Sequence, residues 1–514
     1  MDDNYDTGSS NKTKSATPRL FHAEGFYNDT DYYVSLRRDF VYGRTGVTSN
    51  QKNVGTYLDA AAYTLNSAND NYTEGDMFNV LSALDNENIN GGNVPDSDYG
   101  YSNGSGQYTY VSNYATEGAL KALDQLSGSI YADMALMSRQ NVWLLQNHVA
   151  DFLRPDFCLE CNCACGPINN GCGCGCDAAG FCSACEDTMG DCVTGAGHNL
   201  WGMYYGNFGE IDGDGNGGGF DYKTNGFIVG GDLYRSHRTR MGIYAAFGYT
   251  NLDRDDLNNV SKTQSYNLGL YGVHEFCFGN LLGTAGIATD NYKADRLLHF
   301  GESPLNSNYV HRMHHGELQS MQYNVRLEQS WNYALRRTLF QPFIGVAYDN
   351  LRMGELQERT EWGDREDGQY VTELHSDSYN LDSLRSDIGV RLSRCCTHGS
   401  SAFSLQGRAA WLHEFADTNV ELTNSFTNRN YDVEETGYGN AYNTQANNAF
   451  NSDQFNTCSY TIRGVDLGRD YAWGGAGLTY TCLSSNISLF AAYDILFNDL
   501  ERLHNVSGGA EFTW

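Results

Sequence analysis

Ten of the chain's 15 cysteines fall in one stretch of its 514 residues, "FCLECNCACGPINNGCGCGCDAAGFCSACEDTMGDC", residues 157–192. Cys158-x₂-Cys161 and Cys182-x₂-Cys185 have the ligand spacing of zinc or iron–sulfur sites, whereas Cys161-x-Cys163-x-Cys165 and Cys172-x-Cys174-x-Cys176 are too tight for a conventional zinc ribbon. The same thiols, with Cys192, would pair as disulfides in an oxidising compartment, so the compartment decides between the two chemistries. Other motifs carry less. "DTGSS" at Asp6–Ser10 matches half of an aspartic-protease site, but no second D-T-G occurs to share the proton. "DGDGNGG" from Asp212 begins like a calcium loop, yet Lys223 stands where the bidentate glutamate belongs, and a glycine-rich hairpin loop is expected. No nucleophile–base pair or phosphate-binding loop stands out, so no catalytic residue, cofactor or metal is assigned and no enzyme is expected.

The elements that would position the cysteines follow from composition and periodicity. A net charge of −30 argues against binding nucleic acid or an anionic membrane face by bulk attraction. No run of about 18 apolar residues encodes a transmembrane helix. The 36 Tyr and 57 Gly with only 6 Pro suit many strands and tight turns, a mix shared by transmembrane β-barrels, which hydropathy does not detect. Residues 1–20 show no signal peptide, so an exported chain is expected to be a fragment or an incomplete gene product.

Along the chain, residues 1–50 read as loop or irregular β, 54–66 and 75–86 as short helices, and 88–114 as a Gly/Ser/Asn-rich linker. From Thr116 to Arg154 the pattern is helical, interrupted at Ser127-Gly128 and stopped by Pro155. Ile130, Met134, Met137, Leu145, Val149 and Phe152 keep helical spacing, while Arg139, Gln140, Asn141, Gln146 and Asn147 make the rest polar. Such a helix could thread a membrane pore or pack on a soluble domain.

After His198 the period changes to 2. "MQYNVRLEQSWNY" sets Met321, Tyr323, Val325 and Leu327 against Gln322, Asn324, Arg326 and Glu328, and "LRSDIGVRLS", "FSLQGRAAW" and "VSGGAEFTW" alternate alike. About twelve such segments occur, centred near Met203, Val229, Ala245, Gly269, Ala285, Val325, Ile344, Ile388, Leu405, Gly475, Ala491 and Ala510. Short connections after the second, fourth, sixth, eighth and tenth and longer polar ones after the first, third, fifth, seventh and ninth suit an outer-membrane barrel with both ends inside. Arg326, Glu328, Arg385, Asp387, Arg391, Arg408 and Glu511 share the non-lipid face and are expected to line the lumen, since an Arg facing mid-membrane costs about 2–4 kcal/mol. His311, His314 and His315 are expected in one external loop, as solvated side chains or a surface metal site.

Several stretches resemble the translocator of classical autotransporters, the type V secretion family. They are "NQKNVGTYLDAAA", "NVLSALDN" and "ALKALDQLSGSIYADMAL" ahead of the barrel, then "LWGMYYGNFGEIDGDGNGGGFDYKTNGFIVGGDLY", "YNLGLYGVHEF", "LRSDIGVRLS", "AAWLHEF" and "GRDYAWGGAGLTYTCLSSNISLFAAYD", ending in "AEFTW". The resemblance covers roughly 51–514. It implies an all-β transmembrane fold, a 12-stranded antiparallel outer-membrane barrel plugged by the preceding helix, which passes or displays an N-terminal passenger. It also implies Phe512 and Trp514 as the signal read by the barrel assembly machinery, with the bilayer, periplasmic chaperones and the chain's own passenger as partners. Family members usually carry a larger passenger than the 115 or so residues found here, and the cysteine insertion is foreign to the pattern. The alternative is a porin-like or structural envelope protein without secretion. The expected organisation is passenger remnant 1–115, helical plug 116–154, cysteine-rich periplasmic cap 155–197 and barrel 198–514.

In that topology residues 155–197 lie at the periplasmic mouth, where disulfides are favoured, and Cys277, Cys395, Cys396 and Cys482 fall in or beside turns at the same rim. Metal ligation stays the rival. Fifteen is odd, so at least one cysteine stays unpaired or pairs between chains, and Cys458, expected on the external side, is the candidate.

Overall fold

A computed structural model describes residues 199–514 except 237, 255, 277–278, 302–309, 336–337, 364–369, 399–400, 427–458 and 483–484; ahead of these it describes 21–27, 32–38, 48–67, 80, 83–84, 98–102, 108–112 and 117–154. Twelve strands form the wall of a closed antiparallel barrel. They are β1 (Asn199–Ile211), β2 (Phe220–Arg235), β3 (Thr239–Arg254), β4 (Asn259–Phe276), β5 (Gly279–Phe300), β6 (Val310–Trp331), β7 (Thr338–Met353), β8 (Tyr379–His398), β9 (Ser401–Glu414), β10 (Asp470–Cys482), β11 (Ile487–Phe497) and β12 (Glu501–Thr513). Each expected segment centre lies in one of them. The wall closes where β12 pairs with β1, from Glu501 opposite Ile211 to Thr513 opposite Asn199. Closure leaves no strand edge in the wall without a partner, which an interior lacking water demands.

The period of 2 sorts the side chains as the sequence implies. Leu268, Leu405 and Val325 are exposed on the outer face, while their neighbours Asn267, Ser404, Asn324 and Arg326 are buried inside. Among the described residues no helix is long and apolar enough to cross a membrane; the crossing is made by strands.

The two ends of the barrel differ. At one, the strands join through 236–238, 277–278, 332–337, 399–400 and 483–486, and both the start of β1 and the end of β12 lie there. At the other, the connections include 301–309, 354–378 and 415–469. The eleventh connection, 498–500, is short as well, and the expected alternation fails at the third, because β3 and β4 are joined by 255–258 alone. The Asp- and Asn-rich residues around it continue the strands, because a wall that has left the bilayer is wet on its outer face and loses its lipid-facing apolar pattern. At 22 residues each, β5 and β6 far exceed the ~9–11 needed to span a bilayer. The surplus of β6 pairs with Leu356–Trp362, which continues through Leu374–Ser376 and Glu421–Phe426 to Tyr460–Arg463, so parts of the long loops extend the sheet.

Helices precede the wall, and among the described residues they include α1 (Ser49–Ser67), α2 (Glu117–Ser127) and α3 (Ile130–Leu153). In the stretch read as a second short helix, 75–86, only Val80, Ala83 and Leu84 are described, and they are helical. The two segments read as irregular or linker contain hairpins, Phe21–Tyr27 with Tyr32–Arg38 and Asp98–Ser102 with Tyr108–Ser112. Tyr99, Tyr101, Tyr108 and Tyr110 carry the β propensity that outweighs the surrounding Gly and Ser.

The break between α2 and α3 is at Gly128, with φ +74°. That left-handed conformation suits glycine at a helix end, and an added Cβ would lie 2.3 Å from Leu374 Cδ1. The junction is sealed by Asn424 Nδ2 donating to the Ser127 carbonyl at 2.9 Å. Gly128→Ala is expected to destabilise the folded barrel by about 1–2 kcal/mol; an unchanged urea midpoint in heat-modifiability gels would show the junction to be slack.

Candidate functional site

The barrel interior is occupied by α3. Its 24 residues at 1.5 Å rise extend about 36 Å, enough to run the length of the lumen. Both the apolar and the polar side are buried, because the wall meets each with matching chemistry. Near the long-loop end Ile130, Met134 and Met137 join an apolar cluster with α1, α2 and the sheet extension. Midway, Trp143 meets Trp473 edge-on at 5.5 Å. Toward the short-turn end Leu145 and Val149 pack with Tyr205, Ile228 and Tyr244, and Phe152 stacks on Trp201 at 4.3 Å.

The polar residues of α3 meet polar wall residues individually. Gln140 Nε2 donates to Glu501 Oε2 at 2.6 Å while its Oε1 accepts from Arg385 at 3.1 Å. Asn141 Oδ1 accepts from Asn207 at 3.0 Å and Thr224 at 3.1 Å. Gln146 donates to Asn324 Oδ1 at 3.1 Å, and Arg139 to the Asp417 carbonyl at 2.5 Å.

The foot of α3 is held by charge. Glu328 accepts from three guanidiniums: Arg154 of the helix end at 2.8 Å, Arg391 at 2.8 Å and Arg326 at 3.1 Å. Arg326 also forms a bidentate pair with Asp387, at 2.9 and 2.8 Å. Arg408 bonds Asp494 at 2.7 and 2.5 Å and the helix carboxylate Asp151. Arg385 lies over Trp143 at 5.3 Å and Tyr471 at 5.0 Å. Glu511 stands apart at the rim, accepting from Asn199 at 2.5 Å and Arg240 at 3.3 Å. A second buried knot braces the top of α3: Arg296 pairs with Glu358 at 2.5 Å, Tyr131 donates to the same carboxylate at 2.6 Å, and Arg254 bonds Asp133 at 3.2 Å.

The structure thus brings Arg326, Glu328, Arg385, Asp387, Arg391 and Arg408 together around the helix. The sequence reading missed their partners Asp151, Arg154, Asp494 and Glu501, and the upper knot. Parity held the signal for one of them, since Asp494 sits between outward-leaning Tyr493 and Ile495 of an alternating strand.

Other expectations are corrected. His311, His314 and His315 are in β6, not in a loop, and do not converge: His314 is buried between Thr360 and Thr372, His315 pairs with Asp295 at 2.7 Å, and His311 faces His299 across the sheet. Among the described residues no group of three or more His, Cys, Asp or Glu could hold a metal. The glycine-rich loop at 212–219 joins β1 to β2, and Asp214 there accepts from the backbone of Asn216, Gly217 and Asp466. Phe512 and Trp514 face outward at the rim and stack at 5.5 Å. Cys158, Cys161, Cys163, Cys165, Cys172, Cys174, Cys176, Cys182, Cys185, Cys192, Cys277 and Cys458 lie outside the described residues, as does Asp6–Ser10. Cys396, exposed, ends β8 near the short-turn rim, Cys482 ends β10 at that rim, and no disulfide joins two described cysteines.

Residues 200–449 match the family model "Autotransporter beta-domain". Taken with the closed twelve-stranded wall and the helix inside it, this match supports an outer-membrane translocator domain of the classical autotransporter type for the barrel. Two curated relatives, both named extracellular serine protease and both from Serratia marcescens, are 23% identical over 322 residues and 24% over 302, covering 61% and 57% of this chain. The chain spans about a quarter of their length, 26% and 24%. Among solved structures it is similar to the translocator domain of autotransporter NalP from Neisseria meningitidis (TM-score 0.49, 12% identity, 75% of this chain and all of that one). The beta domain of the Bordetella autotransporter BrkA is another (TM-score 0.40, 13% identity, 62% of this chain and all of that one).

Removing the Glu328 charge leaves three guanidiniums sharing one fewer counter-charge. Glu328→Gln is expected to cost about 3–5 kcal/mol and to loosen the helix foot. The check is the urea midpoint of the folded barrel, and a loss below about 1 kcal/mol would remove Glu328 from its central position.

Proposed function

We propose that this outer-membrane translocator passes its own N-terminal segment through the barrel and leaves it displayed on the cell surface. The single observation behind the reading is the path of α3, which enters at the long-loop end, fills the lumen and leaves beside the start of β1. In this reading the short-turn rim, with both barrel termini, faces the periplasm. A chain crossing outward would come to rest with α3 as its last threaded part, bonded to the wall along its length. The filled lumen disfavours the porin-like alternative, for which an open aqueous channel is expected.

The docking of α1 supports display at the outer end. Asn50 Nδ2 donates to the Arg463 carbonyl at 2.7 Å, and Asn50 Oδ1 accepts from the Arg463 backbone N–H at 2.8 Å. Tyr57 packs on Phe426 at 5.4 Å and Tyr460 at 5.3 Å. Gln51 holds Asp124 of α2, whose carboxyl burial pushes up to about 6. The relatives' name, extracellular serine protease, favours an enzymatic passenger in the longer proteins of this kind.

The remaining roles follow from this orientation. Residues 155–197 join the helix to β1 at the periplasmic mouth, where their cysteines pair as disulfides, with Cys277, Cys395, Cys396 and Cys482 near them. Phe512 and Trp514 end the last strand as the signal for the barrel assembly machinery, with periplasmic chaperones delivering the chain.

With a secretion leader and an epitope fused ahead of Phe21, intact cells are expected to bind the antibody, and deletion of Glu501–Thr513 to abolish this. Detection only after the outer membrane is permeabilised would contradict the reading.

A further inference from the structure

The helix does not fill the barrel evenly. On the β8–β12 side large and charged residues pack α3 closely, whereas on the β2–β6 side the wall presents Ala246, Gly248 and Ala288. Between that wall and α3 lies a cavity in which the centre of a water molecule has about 20 Å³ to move, enough for one or two small occupants. Its polar lining is Ser138, Asn141, Thr224, Ser265, Asn267 and Asp290.

Two features of the lining call for an occupant. Asp290 is buried, and its carboxylate accepts only from the Tyr292 hydroxyl at 2.9 Å and the Ser320 hydroxyl at 3.3 Å. Glu328, Asp387 and Asp494 each meet arginine; Asp290 meets no guanidinium or ammonium among the described residues. An ionised carboxylate out of water is costly without a counter-charge. Independently, Asn267 is 7% exposed, yet neither its side-chain oxygen nor its nitrogen has a partner. Such groups are satisfied by something in nearly all folded proteins. Ser265 is the register partner of Asp290, and Asn267 that of Ala288, so the oxygens belong to adjacent positions on β4 and β5. Asn267 Oδ1, the unpartnered Tyr244 Oη and Asn324 Oδ1 converge over Gly286, at 3.2, 2.8 and 3.0 Å from where a Cβ would stand.

We propose that this cavity binds a small monovalent cation, Na⁺ or K⁺, neutralised by Asp290 and ligated by the neutral oxygens of Ser265 and Asn267 with retained water. One carboxylate among neutral oxygens suits a single positive charge, and the ion occupies the space between α3 and the small residues Ala246, Gly248 and Ala288 of the wall.

The test uses the full-length protein in detergent, with NaCl or KCl compared with N-methyl-D-glucamine chloride at equal ionic strength. The unfolding midpoint of the wild type is expected to rise by about 2–4 °C with Na⁺ or K⁺. Asp290→Asn and the cavity-filling Ala288→Leu are each expected to lose that dependence. Crystals soaked in thallous acetate are expected to show an anomalous peak beside Asp290. A wild-type midpoint indifferent to the cation, together with no thallium peak there, would overturn the proposal; a dependence unchanged in Asp290→Asn would overturn the site.

Discussion

A charged side chain that the strand alternation keeps out of lipid still has to be neutralised in a space where water is scarce, and that requirement organises the interior of this barrel. Arg326, Arg391 and Arg154 share Glu328, and Arg408 shares Asp494 and Asp151. Two of these groups, Asp151 and Arg154, belong to the helix rather than to the wall. Without α3, Arg408 would lose Asp151 and Glu328 would lose Arg154. The helix is therefore part of the electrostatic closure of the barrel as well as its steric filling.

The same reasoning explains why the rest of α3 carries Gln140, Asn141 and Gln146. An apolar rod would leave Glu501 Oε2 and Asn324 Oδ1 without the donors they now have, each at a cost of about 1–3 kcal/mol, and would take one partner each from Asn207 and Thr224. Amide side chains satisfy such groups without adding charge, which leaves attachment distributed along the helix. Above the bilayer the constraint changes. The surplus lengths of β5 and β6 need no lipid-facing pattern; that of β6 recruits loop segments into a sheet that seats α1 and α2, and the Gly128 turn redirects the chain from that sheet into the lumen.

How much of this was legible in the sequence divides along the same line. Where lipid dictates the outer face, as in Met321–Leu327 or Phe403–Leu405, alternation alone locates the strands and the inward charges. Where the wall rises beyond the bilayer, polar residues make strands look like loops, as at Asn251–Arg254 and His311–His315. The pairings were not readable, because Arg408 and Asp151 lie 257 residues apart and only closure of the barrel brings them together. The helix break was readable, since Ser127-Gly128 interrupts an otherwise continuous pattern.

The central claim is that α3 fills the pore, and single-channel conductance in planar bilayers tests it most directly, comparing the whole protein with a form lacking residues 116–154. The account predicts small, flickering currents for the whole protein and a large steady conductance after the deletion. Equal, fully open conductance in both forms would contradict it and place the helix outside the lumen.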